Sequence, residues 1–312
     1  MNNKKYSLGI SLDCSEKYYE KLFKNYNNYI EEVYFSPNLG SKFQSRLSIQ
    51  NSYNNGAEIK LLNILKLAKK YGIKLELAIN STKNFNKSDV NACYLWCKNN
   101  NLKIDSIVTF NELIEYTRFL FGNDKKYICS YNQNLRTYKS LYEISNLFDE
   151  VVVGNNFIRD ITAFFILKER GFKVRLLLNN GCAHNCMWCS SGGSKYCDII
   201  FKNNLKEYSI EELIAKQSVF PYEIKEFYEK TELIDSYKIS GRSSPEYFYN
   251  IIINTYLNNS FNINDKNSLA STIILANISD YIHKNFDKID KNKIIELKNE
   301  IIKSELYKIK AG

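Results

Sequence analysis

Eight short β-like runs, each separated from the next by a stretch of helical periodicity, are what most constrain the fold of this chain. The runs are residues 7–12, 32–36, 74–80, 106–110, 127–130, 150–154, 174–179 and 236–240. Between residues 57 and 71 the apolar positions Ile59, Leu62, Ile64, Leu65 and Leu67 recur with helical spacing, and Gly72 ends the pattern. A second clear helix runs over 160–170 and stops at Gly171. Strands that alternate with helices pair in parallel through crossover connections. Eight such units predict a closed (β/α)8 TIM-type barrel rather than an open sheet. After residue 257 the pattern changes to a polar stretch followed by two amphipathic helices, near 266–286 and 291–310. The expected organisation is therefore a barrel over 1–257 and a helical C-terminal extension over 258–312.

The 312 residues are 44% hydrophobic, enough for one large α/β core. No run of eighteen apolar residues occurs, so no membrane span is expected. The first seven residues carry two lysines but no apolar segment, from which a cytoplasmic location is expected. The net charge of +9 suits an RNA, an acidic metabolite or an anionic surface. The lysines are nevertheless scattered among Glu and Asp, the pattern of an ordinary solvated face.

Four of the eight cysteines fall within sixteen residues: Cys182, Cys186, Cys189 and Cys197. The first three have the spacing Cys-x3-Cys-x2-Cys and directly follow the seventh strand. In a barrel of this class that is the C-terminal mouth, where chemistry is kept. In a chain this large, clustered thiols read as a metal site rather than a disulfide framework. Closely spaced thiolates are the usual ligands of an iron–sulfur cluster and also suit tetrahedral zinc. A [4Fe–4S] cluster is the preferred reading and zinc the alternative. Cys197 is the choice for fourth ligand, with Gly192 and Gly193 letting the segment before it turn back, and Cys14 is the reserve. Asn179 and His184 lie in or beside this segment and are candidate catalytic groups. Arg242, in the loop after the eighth strand, could hold a carboxylate or phosphate by a bidentate bond.

Two resemblances attach to these residues. Cys182, Cys186, Trp188 and Cys189 are similar to the Cys-x3-Cys-x-aromatic-Cys signature of radical S-adenosylmethionine enzymes, but that family carries it after the first barrel strand. The second covers residues 33–257. Val33-Tyr34-Phe35 with Arg46, Gly72 through Asn80, Phe148 through Val152 with Arg159-Asp160, Leu178 through Cys182 with Cys186, Pro221, and Ile234 through Arg242 resemble, in order, the collagenase-like peptidase family (unassigned peptidase family 32). That resemblance implies a four-cysteine [4Fe–4S] site. It also implies oxygen-independent hydroxylation, or a related modification, of an RNA base or a small aromatic substrate, with a partner subunit in some members. The runner-up is a radical enzyme using S-adenosylmethionine, and the third reading a zinc-stabilised binding protein without catalysis.

Peptidase activity is the weakest reading. Only two histidines are present, and neither a His-Glu-x-x-His helix nor a Gly-x-Ser-x-Gly elbow occurs. Cys93 and Cys97, four apart on a predicted helix, and Cys129, within a strand, read as core thiols. His283, on a C-terminal helix, reads as structural.

Overall fold

The computed structural model describes residues 5–311 apart from 38, 40–55, 81–84, 134, 155–156, 180–193, 242–243 and 275. Its eight strands are β1 (Tyr6–Gly9), β2 (Ile30–Phe35), β3 (Lys74–Ala78), β4 (Ser106–Thr109), β5 (Lys126–Cys129), β6 (Glu150–Val153), β7 (Lys173–Leu177) and β8 (Ser236–Ile239). All pair in parallel with their sequence neighbours, and β8 closes on β1 through Tyr6 opposite Tyr237. The predicted (β/α)8 barrel is thus the architecture observed, although most strands are shorter than their β-like runs; β2 is longer than its run and β5 equal to it. The first strand ends at Gly9, where the run reaches residue 12.

The helices on the outer face are α1 (Glu16–Tyr26), α2 (Ala57–Lys70), α3 (Lys87–Asn99), α4 (Ile114–Phe121), α5 (Tyr138–Tyr142) and α6 (Ile161–Glu169). The connection from β7 to β8 is longer: α7 (Ser194–Glu207), α8 (Ile210–Gln217), α9 (Pro221–Glu223), a π-helical turn (Ile224–Tyr228) and α10 (Glu229–Thr231). Then follow α11 (Glu246–Leu257), α12 (Lys266–Ser271), α13 (Ala276–Asn285) and α14 (Lys291–Ala311). Gly72 does end α2, at φ +69°, and Asp160 caps α6 by accepting from the Ala163 N–H.

One continuous core fills the space between barrel and outer helices. A second apolar cluster joins Leu213, Ile214 and Phe220 of the β7–β8 connection to Leu269, Ile273, Ile282 and Ile294. The C-terminal helices therefore pack on that excursion, and α14 lies against α8 and α6. The single helix expected over 266–286 is broken in two. After Thr272 the chain leaves the helix so that the Ile274 N–H can donate to the Asn179 carbonyl at the end of β7 (3.0 Å). A tertiary hydrogen bond here overrides a continuous apolar stripe, helped by the β-branched run Thr272-Ile273-Ile274, which has low helix propensity.

Candidate functional site

The barrel interior is built on charge. Inward-facing positions of a strand recur every second residue. Here they place Glu32, Glu76, Glu150, Arg175 and Lys238, all buried, in the barrel with Lys126 at its lower edge. The Arg175 guanidinium, wholly out of solvent, ion-pairs with all three carboxylates, and its contact to Glu150 measures 2.6 Å. Lys238 Nζ donates to Glu76 (2.6 Å) and lies 3.8 Å from the centre of the Tyr34 ring. Lys126 bridges Glu32 and Glu150 at 3.2 and 3.3 Å. Ser106 and Ser236 donate to the second carboxylate oxygens of Glu32 and Glu150, and Ser7 donates to the Glu76 oxygen that Arg175 also contacts. Burial pushes the Glu76 carboxyl up, but Lys238 and Arg175 outweigh it and hold the group at about 2. Three acids against three bases leave this buried layer neutral.

Toward the mouth the lining divides. Val108, Ile128, Val152 and Leu177 form a separate apolar floor on the β4–β7 side, partly covered by Tyr131. Gly154 permits this: a Cβ there would stand 3.0 Å from the Tyr131 ring. Opposite and around it the strand ends present Ser11, Ser36, Asn80 and Ser130, with Asn80 donating to Ser130 at 3.1 Å. Loops one and eight are tied together. Ser11 donates to the Ser244 carbonyl (2.8 Å), the Ser15 N–H to Glu246 (2.7 Å), and the Tyr249 hydroxyl to the Gly9 carbonyl (2.7 Å). Gly241 has φ +159°, and a Cβ would stand 2.7 Å from the Tyr249 ring, so only glycine fits.

Among the predicted site residues, Asn179 is described and lies at the end of β7, completely buried. Its amide donates to the Ser240 carbonyl (2.9 Å) and accepts from the Ser240 N–H (2.8 Å), which stitches β7 to β8 at the mouth. Cys182, His184, Cys186, Cys189 and Arg242 lie outside the described residues. Cys197 lies on α7, with its side chain outside the described set. The loop predicted to run to 197 therefore gives way to helix at Ser194, and residues 194–196, expected to belong to a returning turn, are helical. The reserve ligand Cys14 is wholly buried, and burial pushes its thiol up to about 12. Cys93, Cys97 and Cys129 are buried core thiols, also raised by burial. His283 is held by Ser279 and Asn267. Among the described residues no three His, Cys, Asp or Glu side chains cluster as a metal site, and no helix is long and apolar enough to cross a membrane.

The polar interior is the feature that sequence reasoning missed. A signal was present at two of these positions: Glu76 between Leu75 and Leu77, and Arg175 between Val174 and Leu176, are single charges flanked by apolar strand residues.

No protein-family model matches the sequence, and no curated protein matches it significantly. Among solved structures the chain is similar to an HpcH/HpaI aldolase from Desulfitobacterium hafniense DCB-2, with TM-score 0.43 and 8% identity over 80% of this chain and 90% of that one. It is also similar to the U32 peptidase Mk0906, with TM-score 0.51 and 13% identity over 78% of this chain and 95% of that one. The likeness to the U32 peptidase establishes the fold alone: a TIM-type barrel like that of a U32 peptidase, which C-terminal helices extend here.

Proposed function

We propose that this chain is an iron–sulfur enzyme, or enzyme component, that modifies an RNA base or a small aromatic substrate, by oxygen-independent hydroxylation or a related reaction. One observation carries the reading: in a U32-like barrel, the Cys-x3-Cys-x2-Cys motif begins three residues after Asn179, at the mouth end of β7. The donor chemistry agrees. The four cysteines whose side chains are described, Cys14, Cys93, Cys97 and Cys129, are buried thiols, and burial disfavours the thiolate that a metal requires. That leaves Cys182, Cys186, Cys189 and Cys197 as the thiolate set. A bound [4Fe–4S] cluster would supply electron transfer or an iron for the oxygen donor. This chain's own share is to hold the substrate on the apolar floor beneath Tyr131 and to bind the donor's carboxylate through Arg242, with His184 as a proton source. The radical alternative has less support, since seven of the eight strands precede the motif.

The test is anaerobic purification followed by iron, sulfide and zinc analysis. Iron and sulfide near four each per chain, with visible absorption lost in Cys182→Ala, Cys186→Ala and Cys189→Ala and kept in Cys93→Ala, is the expected result. Stoichiometric zinc would replace the cluster reading, and 5′-deoxyadenosine from S-adenosylmethionine under reductant would replace it with the radical one.

A further inference from the structure

The C-terminal extension is fastened to the mouth side of β6, β7 and β8 by two polar ties. The first is at the end of β7. The Ile274 N–H donates to the Asn179 carbonyl (3.0 Å), and the Asn179 amide, which holds Ser240, also reaches the Ser271 carbonyl (3.4 Å). The second joins α14 to the loop after β6. Lys298 donates to Glu223 and to the Ser218 carbonyl, and Glu223 in turn pairs with Arg159. Between the ties lies one apolar cluster, in which Leu269 and Ile273 are packed together with Ile294 of α14. Lifting α14 away therefore strips the apolar cover from the segment that makes the first tie.

The second tie is one charge out of balance. Arg159, Glu223 and Lys298 are all buried, and fully ionised they set two positive charges against one negative. A net charge held out of water is costly. Arginine does not give up its proton in a protein. Burial raises the Glu223 carboxyl, but Arg159 and Lys298 outweigh it and keep the group ionised. Lys298 is the member that can shed the excess: burial, then Arg159, pushes its ammonium down to about 7. Tyr222, Tyr228 and Tyr256, which reach the same pair from α9, the π-helical turn and α11, are raised by burial and stay neutral. Elsewhere along α14, Glu211 of α8 accepts from the Asp290 N–H (3.0 Å), and Glu305 accepts from the Ile161 N–H at the start of α6 (3.4 Å).

We infer that the C-terminal extension is a pH-sensitive clasp on the β6–β8 side of the mouth. It is fastened while Arg159, Glu223 and Lys298 are jointly neutral. A proton taken up by Lys298 loosens α14, and with it the hold of residues 271–274 on Asn179. The sign follows from linkage. Once α14 lifts, Lys298 enters water and keeps its proton to higher pH, so acid favours the open form and rising pH the closed one. The clasp needs neither a bound cluster nor a substrate.

The experiment is amide hydrogen exchange of the full chain between pH 7 and 8.5, read by mass spectrometry and corrected for the intrinsic pH dependence of exchange. In the parent, the opening equilibrium of α14 should fall roughly tenfold or more across this range, and that of the Ile274 amide should fall with it. The amides of β4 and β5 should exchange far more slowly than those of α14 at every pH, which marks the opening as local. In Lys298→Met the opening of α14 should not change with pH. If that variant folds poorly, the parent series decides alone. Opening of α14 that is indifferent to pH in the parent, or an equal pH response in Lys298→Met, overturns the inference. So does an Ile274 amide that stays protected while α14 opens, or an α14 that exchanges no faster than β4 and β5. None of these readouts depends on iron, so failure of the iron analysis would be seen separately.

Discussion

A second buried ion cluster pins the C-terminal helix to the barrel, and its stability can be tested quantitatively. Glu223, at the start of the π-helical segment, accepts from Arg159 Nε (2.7 Å) and Nη2 (3.0 Å), from Lys298 Nζ (2.7 Å) and from the Phe220 N–H (2.7 Å). Arg159 also donates to the Lys216 and Ser218 carbonyls, and Lys298 to Ser218 (2.7 Å) while lying 4.1 Å from the Phe220 ring centre. One carboxylate thus faces two cations, all three essentially out of solvent. Glu223→Gln leaves the buried Arg159 guanidinium without its carboxylate partner and should cost about 3–5 kcal/mol. Lys298→Met leaves a neutral Arg159–Glu223 pair and an apolar chain beside Phe220, and should cost no more than about 1–2 kcal/mol near neutral pH. Burial, then the neighbouring Arg159, pushes the Lys298 ammonium from 10.5 down to about 7. Between those values the unfolded chain holds the proton and the folded chain releases it, so stability rises with pH, by up to about 1.4 kcal/mol per unit. Urea denaturation followed by circular dichroism from pH 6.5 to 9.5 should show this rise in the parent relative to Lys298→Met. Parallel pH curves for the two proteins, or a Glu223→Gln loss no larger than that of Lys298→Met, would refute the reasoning.

Arg175→Met strips three buried carboxylates of their shared partner and should lose about 3–5 kcal/mol in the same assay, or fail to fold. Gly241→Ala forces a Cβ against the Tyr249 ring at a left-handed backbone position and should cost about 1–3 kcal/mol. In the native protein, iodoacetamide at pH 8 should spare Cys14, Cys93, Cys97 and Cys129, which mass spectrometry after digestion would show; rapid labelling of Cys14 would contradict its burial.

The barrel was legible because period-two and period-3.6 patterns alternate along the chain, with Gly72 and Gly171 marking helix ends. The break at Thr272 was not, since it depends on a carbonyl at Asn179, ninety-three residues away in sequence. Nor was the excursion between β7 and β8, in which the π-helical turn accompanies two contacts to the β6–α6 loop: Glu223 to Arg159, and the Tyr228 hydroxyl to the Ile158 carbonyl (2.7 Å). The site was legible only as a motif. The spacing of Cys182, Cys186 and Cys189 names a ligand chemistry, whereas the ion pairs that join Glu32, Glu76 and Glu150 to Arg175 depend on which strands the barrel brings together.

The interior charges also divide unequally between the two halves of the barrel. Strands β1 to β4 contribute two buried acids, Glu32 and Glu76, and no buried base, whereas β5 to β8 contribute Lys126, Arg175 and Lys238 against Glu150 alone. The halves therefore carry inner surfaces of opposite sign. Two copies of the first half would face each other with four carboxylates and no cation, so such a half cannot close on itself. Joining the halves neutralises both surfaces: Glu32 and Glu76 of the first half meet Arg175 and Lys238 of the second.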